Sequence, residues 1–412
     1  MLPLYDVFMF GLTRSDYPLS SVSVAWAKEW AKTNRVFYID RPFSLKDIRK
    51  EWHTPKFKKR LNALFLGKDT YKTIAVEQGD FVQVTPLLSL PVNFLPQGKL
   101  YNWLNQYNQY VMHRAIKKII KDYQVKNYVY FNSFHPVICP FIPKQIQPYP
   151  LASIYQSLDE ISEEPYIARH GILAENAAMQ NCDIAIGTST KLCERHEQTS
   201  HRKVHLLANA ADYELFENAL NKPLVKPDEF TRFTKPVIIY TGHYSDLRLD
   251  HELVKKITAA FTDYEILFVG TYVQEDIERH KLTEIPNLHF IGSRPIEQLP
   301  AYLKYSKVAI IPYKSNSLTA GIYPLKINEY LAAGIPCVSS DFSKDIAGFK
   351  EVIYLANTHN RFIDCLKQAL LENPQERLAQ RMQVAASNSW RMRINKLENI
   401  VEDFAELNGR IM

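Results

Sequence analysis

Glycine is scarce in this sequence. Thirteen occur in 412 residues, and no two lie closer together than Gly67 and Gly79. Such spacing allows neither a G-x-G-x-x-G turn nor a Walker-type loop, which excludes the usual dinucleotide and P-loop phosphate cradles. Cysteine is as sparse. Cys139, Cys182, Cys193, Cys337 and Cys365 are odd in number and form no Cys-x-x-Cys pair, which fits a reduced, cytoplasmic chain without a zinc site. There is no Asp-x-Asp pair and no H-E-x-x-H segment, so the common divalent-metal signatures are missing and neither metal nor other cofactor is expected. Long apolar runs are missing too. The longest candidate, "FVQVTPLLSLPVNFLP", is broken by Pro86, Pro91 and Pro96 and cannot make a membrane-spanning helix. The opening "MLPLYDVFMFGLTRSD" has no basic leader ahead of its apolar stretch, which argues against a signal peptide.

What is present describes a two-domain α/β protein. Apolar residues make up 46% and charged residues 23%, a soluble globular composition, and the length exceeds one ordinary core. The net charge of +6 is concentrated: residues 46–72 hold nine basic side chains against three acidic ones, an excess equal to that of the whole chain. Trp52, Phe57, Leu61, Leu64 and Phe65 are interleaved with them. Two readings stay open, an anionic membrane surface as partner or a solvated surface loop. No recognition motif for nucleic acid accompanies the patch.

Strand-like and helix-like patterns alternate along the chain. "DVFMFG", "RVFYID", "FVQVTP", "NYVYFN", "ASIYQS", "DIAIGTS" and "KVHLLAN" predict strands, with a serine-capped helix at "SSVSVAWAKEWAKT" and a long helix over about Lys99–Asp122. The alternation restarts with "PVIIYTG", "EILFVG", "LHFIGS", "VAIIPY" and "PCVSS". This is the pattern of two Rossmann-like, doubly wound parallel sheets facing a cleft. The expected domains are 1–208 for acceptor binding, a proline-marked linker at 209–235, and a nucleotide-sugar domain at 236–388. A C-terminal helix at 389–412 packs on the second domain or returns to the first. Ligands of such sheets bind beyond the carboxyl ends of the strands, which draws attention to Gly242, Gly270 and Gly292.

The most informative stretch is residues 319–342, "TAGIYPLKINEYLAAGIPCVSSDF". Pro324 suits the first turn of a helix and Gly334 its end. Lys326 and Glu329 are three apart and share a face near the helix start, where anions are favoured. A lysine there suggests a phosphate, and a glutamate suggests hydroxyl groups.

In order and spacing, "TGHYSDLRLDHELVKK", "NLHFIGSRPIEQLP", "VAIIPY" and "YPLKINEYLAAGIPCVSSDF" resemble the nucleotide-sugar domain of GT-B glycosyltransferases. The nearest branch is the retaining family 4 (group 1) enzymes of bacterial cell-surface polysaccharide synthesis. "YQSLDE", "CDIAIGTSTKL" and "VHLLANAADYELF" extend the resemblance over most of residues 150–345. It implies transfer of a sugar from a nucleoside diphosphate-sugar to a glycan or lipid-linked acceptor, with retention and without a metal; on the membrane reading, the basic segment 46–72 would hold this cytoplasmic enzyme on the inner face of the membrane. It implies Glu329 on the ribose hydroxyls, backbone N–H groups around Thr319–Tyr323 (Gly321 among them) facing the diphosphate, and Lys326 and Arg248 neutralising the leaving group. Gly242 lies at the donor's strand end, and Gly292–Arg294 lie against the base.

In the first domain His135, ending a strand, is either a catalytic group or a structural histidine. Asp159 and Glu160 either serve the acceptor and the reaction's charge or cap a helix. Gly11 permits close backbone approach on the acceptor side, with Arg14 and Asp16 as weaker candidates. His170 and Glu175 read as fold rather than chemistry. One departure stands out. Members often carry a second glutamate eight residues before the position of Glu329, and here that position is Gly321. An inactive sugar-nucleotide-binding protein therefore remains as an alternative; a nucleotide-sugar epimerase is a further one, against which the missing carboxylate counts, since such an enzyme needs acid/base carboxylates at the sugar. "NAAD" at 209–212 is a milder departure, with Ala210 where an Asn-Gly pair is usual.

Overall fold

The computed structural model describes residues 4–17, 21–76, 79–163, 167–373 and 375–410. Ser20, at the expected start of the first helix, and the leading residues 1–3 lie outside that set. The chain divides into two compact units, one of residues 1–188, 192–207 and 394–412, the other of residues 189–191 and 208–393.

The first unit is built on eight strands: β1 Asp6–Gly11, β2 Val36–Ile39, β3 Tyr71–Ile74, β4 Phe81–Val84, β5 Tyr128–Ser133, β6 Ala152–Ser157, β7 Ile184–Gly187 and β8 Val204–Leu206. Their order is β3-β4-β2-β1-β5-β6-β7-β8. All neighbours pair in parallel except β3, which runs antiparallel to β4 at the edge. Every residue of β1, β2, β5 and β6 is buried, as strands covered on both faces by helices must be. The long helix spans Lys99–Asp122. The expected serine cap is not made: Ser21 precedes the helix Val22–Trp30 but no helix amide bonds its side chain, and its hydroxyl pairs with that of Ser23 at 3.1 Å.

The second unit holds a wholly parallel sheet of β9 Val237–Thr241, β10 Glu265–Val269, β11 Leu288–Phe290, β12 Val308–Ile311, β13 Cys337–Ser340 and β14 Tyr354–Ala356, in the order β11-β10-β9-β12-β13-β14. One continuous apolar core joins both faces of it.

Two segments differ from their sequence reading, and a third follows one of the two readings left open for it. Residues 209–235 are not a free linker. They form a helix at Tyr213–Asn221 and a short turn at Asp228–Thr231, and bury Phe216, Ala219 and Phe230 in the second unit's core. Prolines 223 and 227 mark the ends of these elements rather than an open connection. The basic segment 46–72 is likewise structured, as helices Leu45–Glu51 and Pro55–Lys58, a π-helical turn at Asn62–Leu66 and the start of β3. A capping box of Ser44 with Asp47 opens the first of these. The last helix, Trp390–Leu407, belongs from residue 394 to the first unit. It buries Ile394, Leu397, Val401 and Ala405, spaced to share one face. Arg410 then grips Asp183 at 2.8 Å.

Candidate functional site

In the second unit the carboxyl ends of β9, β10 and β11 each run into a glycine, and these glycines stack. The Gly242 N–H donates to Val269 O at 2.8 Å and the Gly270 N–H to Gly292 O at 2.9 Å. A Cβ on Gly270 would lie 2.0 Å from Gly242 O, so only glycine fits there. At Gly242, with φ +130°, a Cβ would meet Lys326 Cε at 2.8 Å and Nζ at 2.9 Å. The sparse glycines are thus spent where backbone and side chain crowd at the strand ends.

Lys326 reaches this position from the helix Leu325–Ala332, which opens after Pro324. Tyr330 pins that helix to β9, its hydroxyl accepting from the Thr241 N–H at 2.8 Å. The Lys326 Nζ donates to the Tyr313 hydroxyl at 3.0 Å and lies 5.3 Å from the centre of the Tyr240 ring. Burial pushes the Tyr313 phenol up, but Lys326 and Arg248 together outweigh it and hold the group below its usual value. Arg248 therefore acts on the same spot as Lys326.

Glu329, one turn along, is 7% exposed. Burial raises its carboxyl from 4.5 to about 7, and the nearby charge of Lys326 only partly offsets this. Among the described residues no hydrogen-bond donor reaches the carboxylate, whose oxygens keep a little accessible surface. The backbone amides divide sharply. Those of Thr319, Ala320, Gly321 and Ile322 are used within their own turn. Those of Tyr323, Leu325 and Lys326, at the helix start, have no acceptor among the described residues. The site thus presents a cation, unpaired amides and an unpaired carboxylate along one helix.

The comparisons with known proteins bear on this unit directly. Residues 235–372 match the model of the family described as "Glycosyl transferases group 1". This part of the chain is a group 1 glycosyl transferase domain. TuaH of Bacillus subtilis (strain 168), named as a teichuronic acid biosynthesis glycosyltransferase, is 27% identical over 195 residues, or 46% of this chain and 48% of TuaH. The match spans about half the length of that relative. Among solved structures, sucrose-phosphate synthase from Thermosynechococcus elongatus superposes with a TM-score of 0.63 at 14% identity, covering 97% of this chain and 98% of its own. The α,α-trehalose 6-phosphate synthase of Burkholderia multivorans gives 0.67 at 10% identity, over 99% and 100% of the two chains. The chain has the GT-B fold.

Several residues expected to serve the donor in the group 1 domain are held otherwise. Arg294 pairs with Glu229 and donates to the Tyr302 hydroxyl at 3.0 Å and Ile291 O at 2.7 Å, so its guanidinium is committed to the fold. The Thr319 hydroxyl, fully buried, donates to Lys314 O at 2.5 Å, and its amide donates to Asn316 Oδ1 at 2.8 Å. The Tyr323 ring is buried and its hydroxyl accepts from Asn328 Nδ2 at 3.2 Å. Gly321 has open space: a Cβ there meets only Lys191 Cδ, at 3.9 Å.

In the first unit His135 is 2% exposed, its ring stacked 4.9 Å from Phe10, with no partner for either ring nitrogen among the described residues. Burial, helped by Arg41, lowers it to about 3, so it is neutral. Asp159 is half-buried. Glu160 is paired with Arg195, which also binds the buried Glu175 at 3.0 Å. Burial pushes Glu175 up to about 8, and Tyr155 and Ser157 donate to it at 3.2 and 2.9 Å. His170 stacks on Tyr101 at 3.8 Å. Gly11 is required by close approach, but of Ser23 and the Tyr38 hydroxyl, each 2.8 Å from where a Cβ would lie. Arg14 and Asp16 line a pocket of about 500 Å³ beyond β1 and β2, with Tyr17, Arg41, Glu51 and Lys56. Sequence reasoning missed Arg195, a basic residue on an ordinary helix, and the buried Arg60, which ties Asp16 and Asp40 together at 3.0 and 3.1 Å.

Proposed function

We propose that this chain transfers a sugar from a nucleoside diphosphate-sugar to a glycan or lipid-linked acceptor, with retention and with no metal at the donor, in cell-surface polysaccharide synthesis. The observation that carries the reading is Glu329: a buried carboxylate without a donor, on the helix whose first amides and Lys326 are open to an anion. An ionised carboxylate accepts two hydroxyl hydrogen bonds at once, which suits a ribose diol, and the amides and cations suit a diphosphate. In the reaction, Lys326 and Arg248 stabilise the departing diphosphate, and the donor phosphate receives the acceptor's proton. Calorimetry with UDP, GDP, CDP and dTDP tests the site. One of them should bind, and Glu329→Ala should lose about 1–3 kcal/mol, as for an unmade buried polar contact. No binding of any of the four would remove the reading.

Gly321 supports a second reading, a nucleotide-sugar-binding protein without turnover, because the carboxylate common at that position is missing. Release of free nucleoside diphosphate from a bound donor in the presence of acceptors decides against it.

The acceptor side is proposed to work peripherally on an anionic membrane. No helix among the described residues is long and apolar enough to cross one. The exposed face of the helix Lys99–Asp122 instead carries Trp103, Tyr107 and Tyr110, then Arg114, Lys117 and Lys121. Aromatics followed by cations on one helical stripe suit the interface of an anionic bilayer, and the exposed lysines 46, 50, 58 and 59 add to the charge of the same unit.

A further inference from the structure

We propose that Asp246, His251 and His280 form a binding site for a divalent first-row transition metal of the zinc class, which fastens the loop after β9 to the helix behind it. Three elements bring the ligands together. Asp246 lies in the loop that follows Gly242. His251 opens the helix His251–Ala260, whose start is fixed by the Asp250 carboxylate accepting from the Leu253 N–H at 3.0 Å. His280 directly follows the helix Gln274–Arg279. One ligand atom from each residue lies within 4.8 Å of the others. The Nε2 atoms of both histidines face the same oxygen, Asp246 Oδ1, that of His280 at 3.0 Å. The two rings stack at 3.9 Å and 16°, so one ring must tilt for both in-plane lone pairs to meet a single ion.

Asp246 Oδ1 and His251 Nε2 are both buried, and no hydrogen bond of acceptable geometry satisfies either. With Nε2 unprotonated, two buried lone-pair atoms face each other, which is costly, and a cation bound to both removes the cost. The surrounding groups complete the arrangement. The Tyr244 hydroxyl lies 2.6 Å from His251 Nδ1, and its ring is held between Phe268 and Phe290, each at 5.1 Å. With the Nδ1–H donating to Tyr244, the Nε2 lone pair is free for a metal, the usual outer-group device for a ligating histidine. The second oxygen of Asp246 is occupied by Arg279 at 2.6 Å, and its N–H donates to Asp276 Oδ2 at 3.0 Å. Only Oδ1 is therefore left to ligate. The positive charges of Arg279 and of Lys314, which donates to Asp246 O at 2.5 Å, stand against those of Asp246 and Asp276. Two imidazoles with one carboxylate suit zinc, cobalt, nickel or iron rather than magnesium or calcium.

Asp246 is two residues from Arg248, so an occupied site fixes the loop that presents Arg248; this corollary rests on the donor-site reading, while the metal site does not. The test uses untagged full-length protein stripped by a chelator, titrated with Zn²⁺ and, for its visible absorption, Co²⁺. Saturation at about one equivalent, with a rise in Tm, is expected in the wild type, and roughly tenfold or greater weakening in His280→Ala and in Asp246→Asn. Should His280→Ala fail to fold, His280→Gln takes its place. A wild type that binds neither metal, or variants that bind as tightly as the wild type, overturn the proposal. Nucleotide affinity equal with and without Zn²⁺ would remove only the corollary about Arg248.

Discussion

The Lys326 ammonium and the Tyr313 hydroxyl are 3.0 Å apart, and the backbone of Gly242 lies directly beneath the lysine's end. A lysine side chain is flexible, and holding it over a strand end requires a wall on each side. Tyr313 and Tyr240 supply two walls, and the missing Cβ of Gly242 leaves room for the third.

Gly242→Ala should therefore act on Lys326 as well as on the backbone. The φ of +130° disfavours alanine, and the new methyl meets the lysine's Cε at 2.8 Å. A stability loss of about 1–3 kcal/mol is expected from the backbone alone, together with weaker nucleoside diphosphate binding. Urea unfolding and calorimetry on the same preparation check the two effects. Full nucleotide affinity in the variant would disconnect the lysine from the phosphate.

Glu329 gives opposite signs for stability and binding. Its carboxyl is raised from 4.5 to about 7, so between those values the folded chain keeps a proton that the unfolded chain has lost. Stability falls as pH rises through that window. Glu329→Gln removes the titration and should be more stable than the parent above pH 7, by about 3 kcal/mol at most, and indistinguishable below pH 4.5. Nucleotide affinity of the parent should rise with pH as the carboxylate ionises, while that of the variant stays low and flat. Unfolding and binding curves near about pH 5 and about pH 8 decide both.

Trp103 and Tyr107 are 68% and 41% exposed, so replacing both by serine should leave stability within about 0.5 kcal/mol. Binding to vesicles containing anionic lipid should weaken in a flotation assay. Unchanged binding would end the membrane reading. Arg60 is unsuited to such a test: it is 8% exposed, and a glutamate there would face Asp16 and Asp40 and unfold the unit.

Leu397→Ala removes a fully buried side chain of the last helix. A loss of about 2–5 kcal/mol is expected, and because this helix belongs to the first unit, the loss should appear in that unit's unfolding transition. Hydrogen exchange resolved by peptide distinguishes this from a loss spread over residues 236–388.

Much of this fold is legible in the sequence because its strands are short apolar runs bounded by polar turns. "DVFMFG" and "VAIIPY" needed no tertiary information. The edge strand β3 was hidden, since "YKTI" carries two exposed residues and owes its conformation to pairing with β4. In the site, the face shared by Lys326 and Glu329 follows from helical spacing alone. The commitments of Arg294 and Thr319 do not, because Glu229 lies 65 residues from the arginine and a turn's internal hydrogen bonds leave little trace in composition. Asp246, His251 and His280 escaped for the same reason: their spacing matches no local motif, and only the packing of the two helices joins them.

The return of residues 394–410 to the first unit has a consequence for the order in which this protein can be made. A ribosome releases the whole of the second unit before it releases the last helix of the first. Until then Tyr5 lacks the Glu398 carboxylate that it reaches at 2.7 Å, and Asp183 lacks Arg410. The unit begun first is the one completed last, so strict domain-by-domain folding from the N-terminus is closed to this chain.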